Sequence, residues 1–336
     1  MRSKLLLLLL IIFLLCGCQE EAPAETVATT APPVTVGLCL PGRGADWREQ
    51  ATRIATALEA EGIAVRIEYG TDDILLQQSQ VQTLVHMPVD LLILDAYDPL
   101  TLGDTMENCP VPVLSYDRLL QFSDAADGFV SVDYFDAGRK LAIFALGQYD
   151  TQNRTEPLTA EFLMGPPQDP NSYRFYEGLM SVLQPLLDSG ELVCRSGRLR
   201  FEDVCLTDGD LEEGRDISFD YLGLEYEHSF PDIFFCGSDA IAEGCAQALE
   251  GMAFSPEEAW PVVTGLGGTE DGLYLLEQGY LTATAAIDEE ALAAECVRWA
   301  LAILEGSPLP EHALEQNGVR EVPASLQEMQ LLTAGQ

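Results

Sequence analysis

The segment VDLLILDAYDPLTLGDTMENCPVPVLSYDRLL, residues 89–120, contains two apolar runs on either side of a short helical stretch. The runs at 89–97 and 111–116 are each typical of a buried strand. The stretch at 101–107 predicts a helix between them. Because strands that alternate with helices form parallel sheets covered on both faces, this segment predicts a parallel α/β fold.

The same alternation continues on both sides of this segment. Upstream, the pattern predicts strands at 34–40 and 63–69 and helices at 47–62 and 73–87. Downstream, it predicts strands at 128–134, 159–165, 231–239, 261–267 and 281–287, and helices at 135–148, 172–188, 240–252, 269–278 and 288–306. We therefore predict an α/β protein with two Rossmann-like lobes, whose parallel sheets are joined by a hinge.

The composition limits the class of protein. The chain has 336 residues, of which 47% are hydrophobic, so it is long enough for two lobes with real cores. Its 17 basic and 55 acidic residues give a formal net charge of -38. Nucleic-acid binding needs a basic surface, so we expect no nucleic-acid partner.

The first residues have the pattern of an export signal. Arg2 and Lys4 precede an apolar run at 5–15, which is short for a membrane span but suits a signal-peptide core. The sequence Leu-Cys-Gly-Cys at 15–18 resembles the bacterial lipobox. This resemblance implies cleavage before Cys18 and attachment of lipid to its sulfur, whereas an ordinary signal peptide or a short anchor helix is the alternative.

These features divide the N-terminal part of the chain. We expect a lipoprotein signal peptide over 1–17. The stretch 18–33 is rich in Pro, Ala, Thr and Glu and predicts a flexible tether. The mature protein is then expected at the extracytoplasmic face of the cell membrane, held there by lipid.

The cysteines do not form a recognisable metal or disulfide framework. Seven of the nine follow Cys18, so they cannot all pair, and none stands in a C-x-x-C motif. The three histidines are scattered, so we expect no metal and no cofactor. Cys194 and Cys205 either form a disulfide outside the cell or remain thiols.

Polar and aromatic residues follow the predicted strands, at the edge of the sheet where this architecture binds ligands. Trp47 follows the first strand and either offers its ring to a sugar or belongs to the core. Asp117 and Arg118 end the strand at 111–116. A carboxylate accepts hydrogen bonds from vicinal hydroxyls and a guanidinium donates them, so the pair suits a polyol. The alternative is an intramolecular ion pair.

The second half of the chain supplies three more candidates for ligand binding. Tyr134 ends the strand at 128–134, and Asn171 lies just before the predicted helix at 172–188. Asp239 ends the strand at 231–239. This aspartate is also a candidate for the N-cap of the helix that it precedes.

The motifs GLCLPGRGADW, VDLLILDAYDP, VPVLSYDRLL, SVDYFDAG, DIFFCGSDAIAEGCAQAL and PVVTGLGG, taken in this order, resemble those of the type I periplasmic sugar-binding proteins of ABC importers. The xylose and multiple-monosaccharide receptors are the most similar branch, and the resemblance covers 34–306. It implies that Trp47 stacks on a sugar ring and that Asp117 and Arg118 bind its hydroxyls. Asn171 and Asp239 match two further ligand-binding positions of that family.

Several positions depart from the family pattern. Asp46 replaces an arginine, Tyr134 an asparagine and Ser238 another asparagine, and Leu266 and Gly267 replace a glutamine and an aspartate. Each lost partner removes a hydrogen bond worth about 0.5–1.5 kcal/mol. Either the ligand differs from a simple pentose or hexose, or the pocket has lost its function and the protein signals in another way.

The resemblance also implies how the chain is divided between the lobes. The N-terminal lobe is expected to contain 34–134 and 288–306, and the C-terminal lobe 135–287 and 307–324. The chain would then cross between the lobes near 134–136, 287–288 and 306–307.

These observations predict a solute-binding lipoprotein that captures a small ligand, namely a monosaccharide, and delivers it to the permease of an ABC importer. The alternative is a ligand sensor that signals to a membrane histidine kinase or chemoreceptor. We expect a monomer. The sequence has no Gly-x-Ser-x-Gly elbow, no H-E-x-x-H motif and no P-loop, so an enzyme is not expected.

Overall fold

The computed structural model describes residues 33–150, 154–227, 229–257 and 259–334. The predicted signal peptide, Cys18 and nearly all of the predicted tether lie outside these residues. Within them, no helix combines the length and the apolar character needed to cross a membrane.

The strands and helices follow one another as the sequence pattern predicts over most of the chain. The strands are β1 (Thr35–Leu40), β2 (Ala64–Tyr69), β3 (Leu91–Leu94), β4 (Val113–Tyr116), β5 (Ala126–Val132), β6 (Leu158–Leu163), β7 (Leu192–Val193), β8 (Ile233–Cys236), β9 (Val262–Gly267), β10 (Ala283–Ala286), β11 (Ala313–Gln316), β12 (Glu321–Gln327) and β13 (Gln330–Thr333). The helices are α1 (Ala45–Ala60), α2 (Ile74–His86), α3 (Pro99–Thr105), α4 (Tyr134–Leu146), α5 (Pro170–Ser189), α6 (Phe201–Val204), α7 (Leu211–Leu224), α8 (Asp239–Gly251), α9 (Glu270–Gln278) and α10 (Glu289–Glu305).

The first lobe is built on a sheet with the strand order β11-β12-β5-β4-β3-β1-β2. Strands β1 to β5 are parallel to one another, and β12 is parallel to β5 but antiparallel to the edge strand β11. Side chains of β1 alternate between the two faces: Leu38 and Leu40 pack in the cluster that includes Ile54 of α1, and Cys39 packs in the one that includes Val81 of α2. This double covering is why the strand sequence is continuously apolar.

The second lobe is built on a sheet with the strand order β13-β10-β9-β8-β6-β7, in which β13 is antiparallel to β10. Helices α4 and α5 of this lobe pack closely through glycines. A Cβ atom on Gly138 would lie 2.2 Å from the backbone oxygen of Phe175, and one on Gly178 would lie 2.0 Å from that of Phe135. Any larger residue at these two positions would force the helices apart.

The expected assignment of 307–324 to the C-terminal lobe is wrong. Strand β12 pairs in parallel with β5, with Ala324 opposite Phe129, so β11 and β12 belong to the first sheet. The physical reason is that β12 pairs along the edge of β5, where Val322 and Ala324 become buried against residues of β5. The chain therefore crosses to the second lobe at 328–329, between β12 and β13, instead of at 306–307.

The other two crossings fall between β5 and α4 and between β10 and α10. Helix α10 packs against α1 and β5, which places it in the first lobe. Strand β13 returns to the second sheet after the last crossing. Three connections therefore link the lobes.

Some elements were not predicted. The sequence pattern predicts no element in the stretch that contains α6 and α7. The reason is that α7 buries only four residues and therefore has a weak apolar period; these are Gly214, Ser218, Tyr221 and Leu222. The sequence pattern predicts no strand after 306, but this stretch contains β11, β12 and β13. Cys194 and Cys205 are free thiols, which favours the second of the two alternatives for this pair.

Candidate functional site

Two strand ends of the first lobe place acidic and basic side chains at the carboxyl edge of the sheet. Asp95 directly follows β3, and Asp117 and Arg118 directly follow β4. The backbone of Asp117 has φ 58°, in the left-handed region that aspartate adopts more readily than most residues. Its amide donates a hydrogen bond to the carbonyl oxygen of Val130, 2.9 Å away, which keeps the turn attached to β5.

Asp117 of the first lobe accepts hydrogen bonds from two residues of the second lobe. Its Oδ1 accepts hydrogen bonds from Tyr134 Oη at 2.9 Å and from Asn171 Nδ2 at 3.2 Å, and Asn171 also donates to the carbonyl oxygen of Asp117 at 3.1 Å. Tyr134 begins α4 and Asn171 lies in the first turn of α5, so both donors belong to the second lobe. Three of the predicted site residues are thus brought together.

Arg118 is held by two carboxylates from different lobes. Its Nη1 donates to Asp95 Oδ1 and its Nη2 to Asp169 Oδ2, both at 3.0 Å. Asp95 is completely buried in the first lobe, whereas Asp169 is the N-cap of α5 in the second. Arg118 therefore forms an intramolecular ion pair, as the alternative interpretation predicts, but its partners are these two aspartates and not Asp117.

Burial and mutual charge perturb the ionisable groups of this cluster. Burial raises the pKa of Asp95 and of Asp117, and Arg118 opposes both increases. Burial alone would lower the pKa of Arg118, but the nearby carboxylates outweigh it and raise that pKa. Burial and the negative charge of Asp117 raise the pKa of Tyr134. One guanidinium therefore balances several carboxylates in a site shielded from water.

A cavity of about 370 Å³ lies beside this cluster, between the lobes. Its volume falls within the range of small-molecule sites. The first lobe lines it with Pro41, Trp47, Asp72, Tyr97 and Arg118, and the second lobe with Pro166, Gln168, Asp169, Thr207, Asp208 and Asp210.

Trp47 is the aromatic residue that the sequence singled out, and it lies on the cavity wall in the first turn of α1. The guanidinium carbon of Arg118 lies 5.7 Å from the centre of its ring. A Cβ atom on Gly42 would lie 2.3 Å from Trp47 Nε1, so only glycine there leaves room for the indole. The ring also packs against the core, as one of the two interpretations predicts, and its stacking on a sugar stays a prediction.

The geometry agrees with a comparison of the sequence with known families. Residues 36–308 match the family described as periplasmic binding protein domain. The chain belongs to this family. Its members bind solutes, and the chain is a binding protein and not an enzyme.

Curated relatives of this periplasmic binding protein are matched over most of their length. It is 30% identical to the multiple sugar-binding periplasmic protein SbpA of Azospirillum brasilense, covering 90% of this chain and 85% of that one. It is 29% identical to the multiple sugar-binding periplasmic receptor ChvE of Rhizobium radiobacter, covering 89% and 86%. It is 25% identical to the D-xylose-binding periplasmic protein of Escherichia coli, covering 89% and 87%.

A solved structure confirms the type I periplasmic binding protein fold. An ABC transporter solute-binding protein from Clostridium phytofermentans, crystallised with β-D-glucose, superposes with a TM-score of 0.83 at 26% identity. The match covers 89% of this chain and 94% of that one.

Asp239 is not part of the cluster around Arg118 in this binding protein. Its Oδ2 accepts hydrogen bonds from the backbone nitrogen of Thr269 at 2.8 Å and from its hydroxyl at 3.1 Å, and its Oδ1 accepts one from Thr284 Oγ1 at 2.7 Å. The alternative that it is an N-cap is wrong, because Ser238 caps α8 by accepting from the amide of Ile241. Asp239 instead ties β10 and the N-cap of α9 to the first turn of α8.

Sequence reasoning missed several residues of the binding protein's site. The predicted strand at 89–97 includes Asp95. However, Asp95 directly follows the last apolar residue of β3, and the same kind of position identifies Asp117 as a candidate. Tyr97 also falls within the predicted strand at 89–97, whereas Asp72 and Asp208 lie in loops with no distinctive motif. Nothing in the local sequence could show that these loops meet.

The loop that carries Thr207 and Asp208 is held in place by a side chain of α7. The carboxylate of Glu213 accepts hydrogen bonds from the backbone amides of Thr207, Asp208 and Gly209, at 2.8, 2.9 and 3.1 Å. Partial burial opposes the charged form, but these amides outweigh it and lower the pKa of Glu213. The cavity wall of the second lobe is therefore preformed and not a loose loop.

Proposed function

We propose that this protein captures a monosaccharide in the cavity between its lobes, on the outer side of the cytoplasmic membrane, and delivers it to an ABC importer. The observation that carries the proposal is a cavity of about 370 Å³ between the lobes, lined by Trp47 and Arg118 of the first lobe and by Asp169 of the second. Sugar-binding relatives and the glucose complex of a similar protein support the ligand class.

The groups on the cavity wall suit a polyhydroxylated ring. The carboxylates accept hydrogen bonds from hydroxyl groups, the guanidinium of Arg118 donates them, and Trp47 and Tyr97 supply apolar surface for the C–H faces of a sugar. Both walls come from one chain, so a monomer suffices. Contacts such as Arg118 to Asp169 hold the lobes together, and a ligand that adds contacts to both would favour this closed form.

A panel of monosaccharides tests the proposed ligand class. We expect at least one neutral pentose or hexose to raise the thermal unfolding midpoint of the purified protein, because a ligand that binds only the folded state stabilises it. At a free concentration one hundred times Kd, the stabilisation is about 2.7 kcal/mol. Differential scanning calorimetry measures the shift. An unchanged midpoint with every sugar of the panel would contradict the proposal.

The membrane partner requires a separate test. An ABC permease agrees with the solute-binding role of similar proteins, and a membrane histidine kinase or chemoreceptor is the alternative partner. Uptake of the labelled sugar that shifts the midpoint, measured in cells with and without the gene, separates the two. Equal uptake in both strains would favour the sensor.

We also propose that the protein is a lipoprotein with its lipid on Cys18. The basis is the apolar run at 5–15 followed by the lipobox-like sequence at 15–18. Cys18→Ser is expected to abolish incorporation of labelled palmitate and to move the protein out of the membrane fraction. Cys16→Ser is the matched control and should retain the label. A wild-type protein that takes up no palmitate would rule out this modification.

A further inference from the structure

The cavity between the lobes has an excess of negative charge. Of the described residues that line it, four are aspartates and one is an arginine. The aspartates come from three separate segments, namely Asp72 after β2, Asp169 before α5, and Asp208 and Asp210 before α7. With all carboxylates ionised, the lining residues have a formal charge of -3.

The positive charge of Arg118 is already used within the protein. Its two terminal nitrogens bind Asp95 and Asp169, each at 3.0 Å. Asp95 is fully buried, and its Oδ2 has no hydrogen-bond partner among the described residues. Arg118 therefore balances the aspartates around it and has no surplus charge with which to attract an anionic ligand.

For the other three aspartates of the cavity, the described residues show no ion pair. Among the aspartates of the cavity, Asp169 is the member for which the described part of the chain shows an ion pair. Asp72 and Asp208 stand on opposite lobes, so a ligand in the cavity lies between two unpaired carboxylates. A cleft lined by charge of one sign concentrates ligands of the opposite sign.

We propose that the preferred ligand carries an ammonium group and is an amino sugar, with its amine close to Asp72 and Asp208. This inference rests on the proposed function. An ammonium group adds the missing positive charge and donates three hydrogen bonds to carboxylates that a neutral hydroxyl satisfies less strongly. The same charges repel a uronate.

Isothermal titration with matched sugars tests the inference. We expect glucosamine or galactosamine to bind the purified protein at least about tenfold more tightly than glucose or galactose, respectively, and glucuronate to bind more weakly than glucose. If the neutral hexoses bind as tightly as the hexosamines, the inference fails and the proposed function stands. If no monosaccharide of any charge binds, the proposed function fails as well.

Charge-removing variants test the assigned carboxylates. Asp72→Asn and Asp208→Asn keep the size of the side chain and are each expected to bring the ratio of hexosamine to hexose affinity close to one. Asp104→Asn is the matched control, because Asp104 is an exposed acid of α3 away from this cavity. It should leave the ratio unchanged. A ratio that is the same in all three variants would show that overall acidity, and not these two carboxylates, selects the ligand.

Discussion

Replacing Asp117 by alanine is expected to weaken monosaccharide binding at least about a hundredfold while the chain still folds. Asp117 is 9% exposed and accepts hydrogen bonds from Tyr134 and Asn171, so its loss removes the acceptor that joins α4 and α5 to the first lobe. These contacts join the lobes in the closed form. Hydrogen bonds to a charged group contribute about 1.5–3 kcal/mol each, so the loss of two of them disfavours the closed form, and the affinity for a ligand held between the lobes falls with the population of that form. Isothermal titration with the sugar that gives the largest thermal shift measures it.

A second variant separates binding from folding. Alanine in the left-handed conformation of residue 117 costs about 1–2 kcal/mol, so some loss of stability is expected in Asp117→Ala. Asp117→Asn keeps the backbone preference and one acceptor oxygen and removes only the charge. We expect an affinity between those of the wild type and the alanine variant. Wild-type affinity in both variants would exclude Asp117 from the binding site.

Replacing Arg118 by methionine is expected to lower the free energy of unfolding by about 3–5 kcal/mol, the range for removing one partner of a buried ion pair. The cause is Asp95, which is completely buried and would be left with no positive partner. Burial already raises the pKa of Asp95, and without Arg118 this pKa rises further. The loss should therefore shrink as the pH falls and Asp95 becomes protonated. Chemical denaturation at several pH values measures this.

The controls for this prediction use a compensating change and an exposed pair. Adding Asp95→Asn to Arg118→Met removes the stranded charge and should recover a large part of the lost stability. Arg200→Met breaks the ion pair between Arg200, which is 74% exposed, and Asp203, and it should leave the free energy of unfolding nearly unchanged because water screens this pair. Equal losses for Arg118→Met and Arg200→Met would mean that burial of Asp95 has no energetic role.

The sequence predicted the parts of the fold that depend on local apolar pattern. β1, β3 and β4 are short apolar runs because helices cover both faces of the first sheet, and the runs are visible without knowledge of the partners. The assignment of 307–324 failed for the opposite reason. Whether β12 pairs with β5 or with the second sheet depends on contacts between segments that are almost 200 residues apart, and no local pattern records this choice.

The site shows the same division. The position of Asp117 and Arg118 follows from the end of one strand, and the carboxyl edge of the sheet is predictable from the parallel order. The partners of Arg118 are not, because Asp95 and Asp169 are 23 and 51 residues away and one of them belongs to the other lobe. Asp239 had the right kind of position, at a strand end, yet its carboxylate is taken up by Thr269 and Thr284.

The late strand β12 has a consequence for how the protein reaches its native state. Because β12 and β11 complete a sheet whose other strands precede the whole second lobe, neither lobe corresponds to a continuous stretch of chain. A ribosome must translate past residue 327 before the first sheet has its full set of neighbours, and the closing of so long a loop is a slow step. The two lobes therefore depend on each other's synthesis, and neither is expected to be obtained intact by cutting the gene at a single point.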